Sequence, residues 1–136
     1  MHLPAAALSP HPLDPLHPGE IKAAATTILR HLGITSKDVR FKAIDLYEPA
    51  KHETLRYIHQ NGPAPDRRCR AYFHQLKSPI LSIAIVNIPK GVVERSYDAP
   101  ESQGPVDWVE YDLVHKACLS HPKVLAEVAK LKLPPG

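Results

Sequence analysis

Arg68-Cys69-Arg70-Ala71-Tyr72-Phe73-His74-Gln75-Leu76, followed after Lys77-Ser78 by Pro79-Ile80-Leu81-Ser82-Ile83-Ala84-Ile85-Val86-Asn87-Ile88, decides the fold. The first run alternates, with Cys69, Ala71 and Phe73 on one side and Arg70, Tyr72 and His74 on the other, the two-residue period of a strand with one covered face. The second run is apolar at Ile80, Leu81, Ile83, Ala84, Ile85 and Val86, so it reads as a strand covered on both faces. A short connection at Lys77-Ser78 predicts a tight antiparallel hairpin.

Working outward, Val92 to Tyr97 after Pro89-Lys90-Gly91 gives a further strand, and Val39 to Tyr47, closed by Glu48-Pro49, another. Ile21, Ala24, Ala25, Ile28 and Leu32 recur at helical spacing before Gly33, which predicts a helix opened by Pro18-Gly19-Glu20. A short helix is expected from Ala50 to His59, another over Pro105 to Leu119, and a last one from Lys123 to Leu131. The order implies an α+β domain of cystatin-like architecture, one helix packed on a curved four-stranded antiparallel sheet with helices at the C-terminal end. The expected organisation is a flexible lead at 1–9, a single domain over 10–133 and a tail at 134–136.

At 136 residues the chain has length for one compact core. No apolar run approaches the roughly 20 residues of a membrane span, so no membrane role is expected. A net charge of +3 is spread rather than gathered, apart from Arg67-Arg68-Cys69-Arg70, and the aromatic fraction is 6%. Nucleic acid is therefore not an expected partner. Met1 to Pro10 lacks a basic flank and is broken by prolines, which favours a cytoplasmic protein over a secreted one. Cys69 and Cys118 form no CxxC pair and read as two buried thiols.

Several segments resemble the second amino-terminal domain of the copper amine oxidase family. His11-Pro12-Leu13-Asp14-Pro15-Leu16 with Glu20-Ile21-Lys22-Ala23-Ala24 is similar to its opening, and Leu46-Tyr47-Glu48-Pro49-Ala50-Lys51 to the turn after its first strand. Arg67-Arg68-x-x-Ala71 resembles its second strand. Gly104-x-x-x-Trp108 to Ala117 with His121-Pro122-x-Val124 resembles its C-terminal helices. In that family a tyrosine of an Asn-Tyr motif becomes a quinone, and a His-x-His pair with a third histidine holds copper. Neither motif occurs in this chain, so the resemblance implies a scaffold or packing role, with no oxidase chemistry, no metal and no cofactor. Ser82 departs from the family, where glutamate is common, and the Lys77-Ser78 connection is shorter than usual. The ends at Met1 and Gly136 suggest either an excised fragment or a protein that kept one domain.

Three candidate sites follow from the residues themselves. Strand alternation sets Arg70, Tyr72 and His74 on one sheet face, and it assigns Phe41, Ala43, Asp45 and Tyr47 to a common side. With Glu94, Arg95 and Tyr97, an acid, a base and a phenol can gather over the sheet as proton transfer requires. The expected catalytic set is His74, Tyr72, Asp45 and Tyr97, with Arg70, Ile83, Ile85 and Glu94 binding a small organic molecule for isomerase, cyclase or dehydratase chemistry. The competing reading is of solvated cross-strand pairs and a non-catalytic assembly module. The apolar third strand calls for a cover on its second face, and a homodimer, a partner or an apolar ligand would supply one. His52 and His59 are about 10 Å apart along a helix by its rise, too far to share one metal. His115 beside Cys118 suggests an activated thiol, against the alternative of an inert buried one.

Overall fold

The computed structural model describes residues 10–133. The expected lead at 1–9 and the tail at 134–136 lie outside the described residues. Eight elements follow in order: α1 (Pro18–Leu32), β1 (Val39–Tyr47), α2 (Lys51–Gln60), β2 (Arg68–Gln75), β3 (Leu81–Asn87), β4 (Val92–Ala99), α3 (Trp108–Ser120) and α4 (Pro122–Lys130). They divide into a larger compact unit ending at Gly104 and a smaller one beginning at Pro105.

The larger unit is the α+β domain the sequence implies. Its strands run in spatial order β1-β2-β3-β4, every neighbouring pair antiparallel. Helix α1 begins where its chemistry allows: Pro18 stands in the first turn, His17 Nδ1 accepts from Gly19 N at 3.1 Å, and Glu20 Oε2 accepts from His17 N at 3.1 Å. It ends at Gly33, whose left-handed φ of 65° lets its N–H reach the carbonyls of Arg30 and Leu29. Ala24, Thr27 and Ile28 are buried along one stripe. Ala24 and Ile28 join Val39, Cys69, Ala71, Phe73, Ala84 and Val86 in one buried cluster, and the Phe73 ring lies 5.7 Å from that of Phe41.

The hairpin between β2 and β3 is looser than the sequence suggests. His74 pairs with Leu81 in the last register position, and Leu76 to Ile80 form the connection between the two strands rather than Lys77-Ser78 alone. Ser78 N donates to Gln75 O at 2.8 Å, and Ile80 N donates to Ser78 Oγ at 3.2 Å. Pro79, having no N–H to give a ladder, explains why pairing starts only at Leu81.

A second difference lies in β1. Phe41 pairs with Phe73 but Ala43 pairs with Tyr72, so Lys42 is a bulged residue and the alternation changes phase there. Phe41 therefore joins the α1-covered core, while Ala43, Asp45 and Tyr47 keep the opposite face. The sequence expectation that Phe41 shares a side with Asp45 is corrected by that one extra residue.

In the smaller unit, α3 is capped by Asp107, whose Oδ1 accepts from Glu110 N at 2.9 Å. His121 separates α3 from α4, and Pro122 takes the first position of α4, as a proline without an N–H can. The Trp108 and Tyr111 rings meet at a tilt of 53° with centres 6.3 Å apart. Among the described residues no helix is long and apolar enough to cross a membrane.

Candidate functional site on the second sheet face

The face of the sheet turned away from α1 is built in rows. Directly paired residues of antiparallel strands share a face, so the register gives Asp45, Arg70, Ile85 and Arg95 as one row. Ala43, Tyr72, Ile83 and Tyr97 form the next, and Arg40, His74, Leu81 and Ala99 the third. A bulge in β4, where Ile85 pairs with Arg95 but Val86 with Val93, inserts Glu94 beside the first row.

All eight residues singled out for this face stand on or beside it, spread over neighbouring rows. Asp45 and His74 are separated by an intervening row. Tyr72 and Tyr97 flank Ile83 from opposite strands, about 10 Å apart by two strand spacings. No hydrogen bond joins any two of His74, Tyr72, Asp45 and Tyr97. Asp45 and Glu94 are exposed and Tyr97 keeps 39% of its surface, so the rim of the face is open to solvent.

The centre of the face is closed within the single chain. Ile83 and Ile85 keep 9% and 8% of their surface and Leu81 2%. The backbone at Gly104 passes close enough to the Leu81 and Lys42 side chains that a Cβ there would lie 3.2 Å and 3.1 Å from them. A second copy, partner or apolar ligand is thus not needed to bury β3, contrary to the reading of its apolar run. What flanks the isoleucines is aromatic and cationic. The Arg70 guanidinium lies 4.8 Å over the Tyr47 ring, and that of Arg95 lies 4.7 Å over the Tyr97 ring.

Three neighbouring arginines meet three different fates. Arg67 is buried and fully used: its Nε and Nη2 grip the Glu20 carboxylate at 2.6 and 2.9 Å, Nη1 donates to His11 O at 2.7 Å, and Nη2 also reaches Asp14 O and Pro15 O. That hydrogen bond holds the Glu20 carboxyl below its ordinary value and raises the pKa of Arg67. Arg68 pairs with Glu94 at 2.8 Å. Arg70 makes no ion pair, although Asp45 stands directly opposite in register. Its Nη1 donates to the Tyr72 hydroxyl at 3.4 Å, and its buried Nε has no hydrogen-bond partner.

The clamp from Arg67 to Glu20 is the feature that sequence reasoning missed. The available signal was Glu20 at the third position of a capped helix, together with Arg67 opening the dense basic run. A second polar centre also went unread: Asn87, fully buried, donates from Nδ2 to Asp66 at 3.0 Å and to Glu94 at 2.9 Å and accepts from Lys90 N. The Asn87 bond holds the Asp66 carboxyl below its ordinary value, and the Arg68 pair together with the Asn87 bond does the same for Glu94. Ser82, buried, donates to Asp98 at 2.8 Å, so at this position a short hydroxyl pairs with an acid across the strands.

The cysteines divide. Cys69 is fully buried, and that burial pushes its thiol up to about 11; Cys118 is exposed, not the buried thiol its apolar neighbours suggest. Among the described residues no three histidine, cysteine or acidic side chains gather to hold a metal ion.

No curated protein matches the chain. Residues 11–96 match the copper amine oxidase N2 domain family, and the matched stretch takes in every element of the larger unit from α1 through most of β4. The clamp between Glu20 and Arg67 and the strand opened by Arg67-Arg68 both fall inside it, and the chain belongs to the copper amine oxidase N2 domain family.

Proposed function

We propose that the N2-type unit is a non-catalytic docking domain, without oxidase activity, that presents its second sheet face to a protein partner. The observation that carries this reading is the composition and openness of that face: tyrosines stacked under arginines around a closed isoleucine centre, with the rim in solvent. Tyrosine and arginine are the side chains that contribute most to protein interfaces when they ring a well-packed centre. The chain also lacks the Asn-Tyr and His-x-His motifs of the oxidase chemistry.

A second reading keeps one supporting observation, that Tyr72, His74, Asp45 and Tyr97 share the face. There His74 is the base and Tyr72 a proton donor acting on a small organic molecule held by Arg70, Ile83, Ile85 and Glu94. The spacing of the rows and the open rim favour docking over this chemistry, because acid-base catalysis needs its groups within hydrogen-bond reach of one substrate.

A photo-activated benzophenone side chain at position 97, introduced in the host cell, tests the docking reading. A protein adduct identified by mass spectrometry at position 97, and absent when the same group replaces exposed His31 on α1, is the expected result. No adduct at position 97 overturns the docking reading.

A further inference from the structure

We infer that Arg70 and Arg95 form a two-point carboxylate site across Ile85, and that the partner of this face is therefore an acidic protein segment. The inference rests on the docking reading of the same face and adds the chemistry of what docks. Both guanidiniums are held by tyrosine rings, and among the described residues neither has a carboxylate within ion-pairing distance, whereas Arg67 and Arg68 are each paired. Stacking on a ring fixes the plane of a guanidinium and leaves its outer N–H edge free for a bidentate acceptor.

Arg70 supplies the more specific sign. Its Nε is a buried donor with no acceptor, and a buried polar group left unpaired is costly unless something satisfies it. A carboxylate approaching from the Ile85 side, with a small turn of the guanidinium, would accept from Nε and Nη2 together. Arg95 lies in the same row one strand beyond Ile85, about 10 Å from Arg70 by two strand spacings. Two acidic side chains on one segment laid across the strands can span that distance.

Charge also selects among occupants. The three rows carry Arg40, Arg70 and Arg95 against Asp45 alone, since Arg68 and Glu94 neutralise each other. A second copy docked by a two-fold axis through Ile85 would set Arg70 against the other copy's Arg95, like charge against like. An acidic segment meets the same surface with complementary charge.

The test uses the whole 136-residue chain and a synthetic peptide of alternating glutamate and alanine as probe, with the same peptide carrying glutamine in place of glutamate as control. Binding is read from the arginine Nε–H resonances in nitrogen-15 spectra and from isothermal titration. The glutamate peptide should move the Arg70 and Arg95 signals, the glutamine peptide neither, and affinity should fall steeply as salt is raised to about 0.5 M. Arg95→Ala, at an exposed position, should weaken binding about tenfold, and Arg70→Lys, which keeps charge but not the fork, by a smaller factor. Lys37→Ala, in an exposed loop, should leave it unchanged. Equal binding of both peptides, or equal loss from Lys37→Ala and Arg95→Ala, overturns the carboxylate site. If the glutamate peptide does not bind while position 97 still captures a protein, docking stands and the acidic partner falls. If both fail, the docking reading falls as well.

Discussion

The two faces of this one sheet are stabilised in different ways. Toward α1 the side chains of Cys69, Ala71, Phe73, Ala84 and Val86 are almost wholly excluded from water and form one apolar cluster with Ala24, Ile28 and Val39. On the opposite face the buried centre is Leu81, Ile83 and Ile85 with the hydrogen-bonded amide of Asn87 at its end, and the flanks are long amphipathic groups that lie over apolar surface with charged ends in solvent. The first face is specified by shape and resists change. The second tolerates change, because its outer residues contribute little to holding the sheet together, which leaves them available for recognition.

Substitutions on the two faces measure how far that contrast holds. The largest effect is expected for Phe73→Ala, which opens a cavity beside the Phe41 ring and should cost about 3–5 kcal/mol in urea unfolding followed by far-ultraviolet circular dichroism. A cost below about 1 kcal/mol would mean that α1 does not seal this face. Arg67→Ala should come close behind, at about 3 kcal/mol or more, because it strands the Glu20 carboxylate in a buried position. The double replacement Glu20→Gln with Arg67→Met should recover part of the loss, and a double-mutant cycle would show it.

The same pair sets an acid limit. Glu20 has its folded pKa depressed below its ordinary value of 4.5 by the Arg67 hydrogen bond, so its contribution is fully present above that value and is lost as pH falls through the lower folded one. Unfolding free energy of the wild type should therefore decline as pH drops below about 4.5, and the Arg67→Ala variant should decline less steeply. Asn87→Ala leaves Asp66, Glu94 and the Lys90 N–H without a shared partner and should cost about 1–3 kcal/mol. Smallest of all, Tyr97→Ala on the open rim should stay within about 0.5 kcal/mol of wild type. A cost approaching that of Phe73→Ala would erase the distinction between the faces.

Much of this arrangement is legible in the residues. The alternation of β2 and the continuous apolar run of β3 place them as neighbouring inner strands, and Gly33 marks the end of α1, since each of these signals is local and set by backbone sterics. Long-range pairing is not written in such local patterns. Nothing near Arg67 in sequence tells that its partner is Glu20, because the two meet only when α1 lies across the start of β2. Arg70 and Asp45 illustrate the converse: opposite charges in direct register invite an ion pair, yet the neighbouring ring and hydroxyl hold the guanidinium. The residues expected to be catalytic share one face, but a face is broad, and residue parity along a strand carries no information about separation across it.

Lys42 carries a lesson in phase. Strand residues keep time by odds and evens, and this one position is a beat held twice: every residue of β1 before it is counted on one parity and every residue after it on the other. Removing Lys42 would leave Phe41 opposite Phe73 and Ala43 opposite Tyr72, so the rest of β1 would keep its partners and lose the kink together with the side chain that lies against Gly104. Removing Ile44 instead would throw Asp45 toward the core or drag Ala43 and Phe41 out of step. A single deletion in this strand is therefore either nearly silent or ruinous, and which of the two depends on whether it falls on the extra beat.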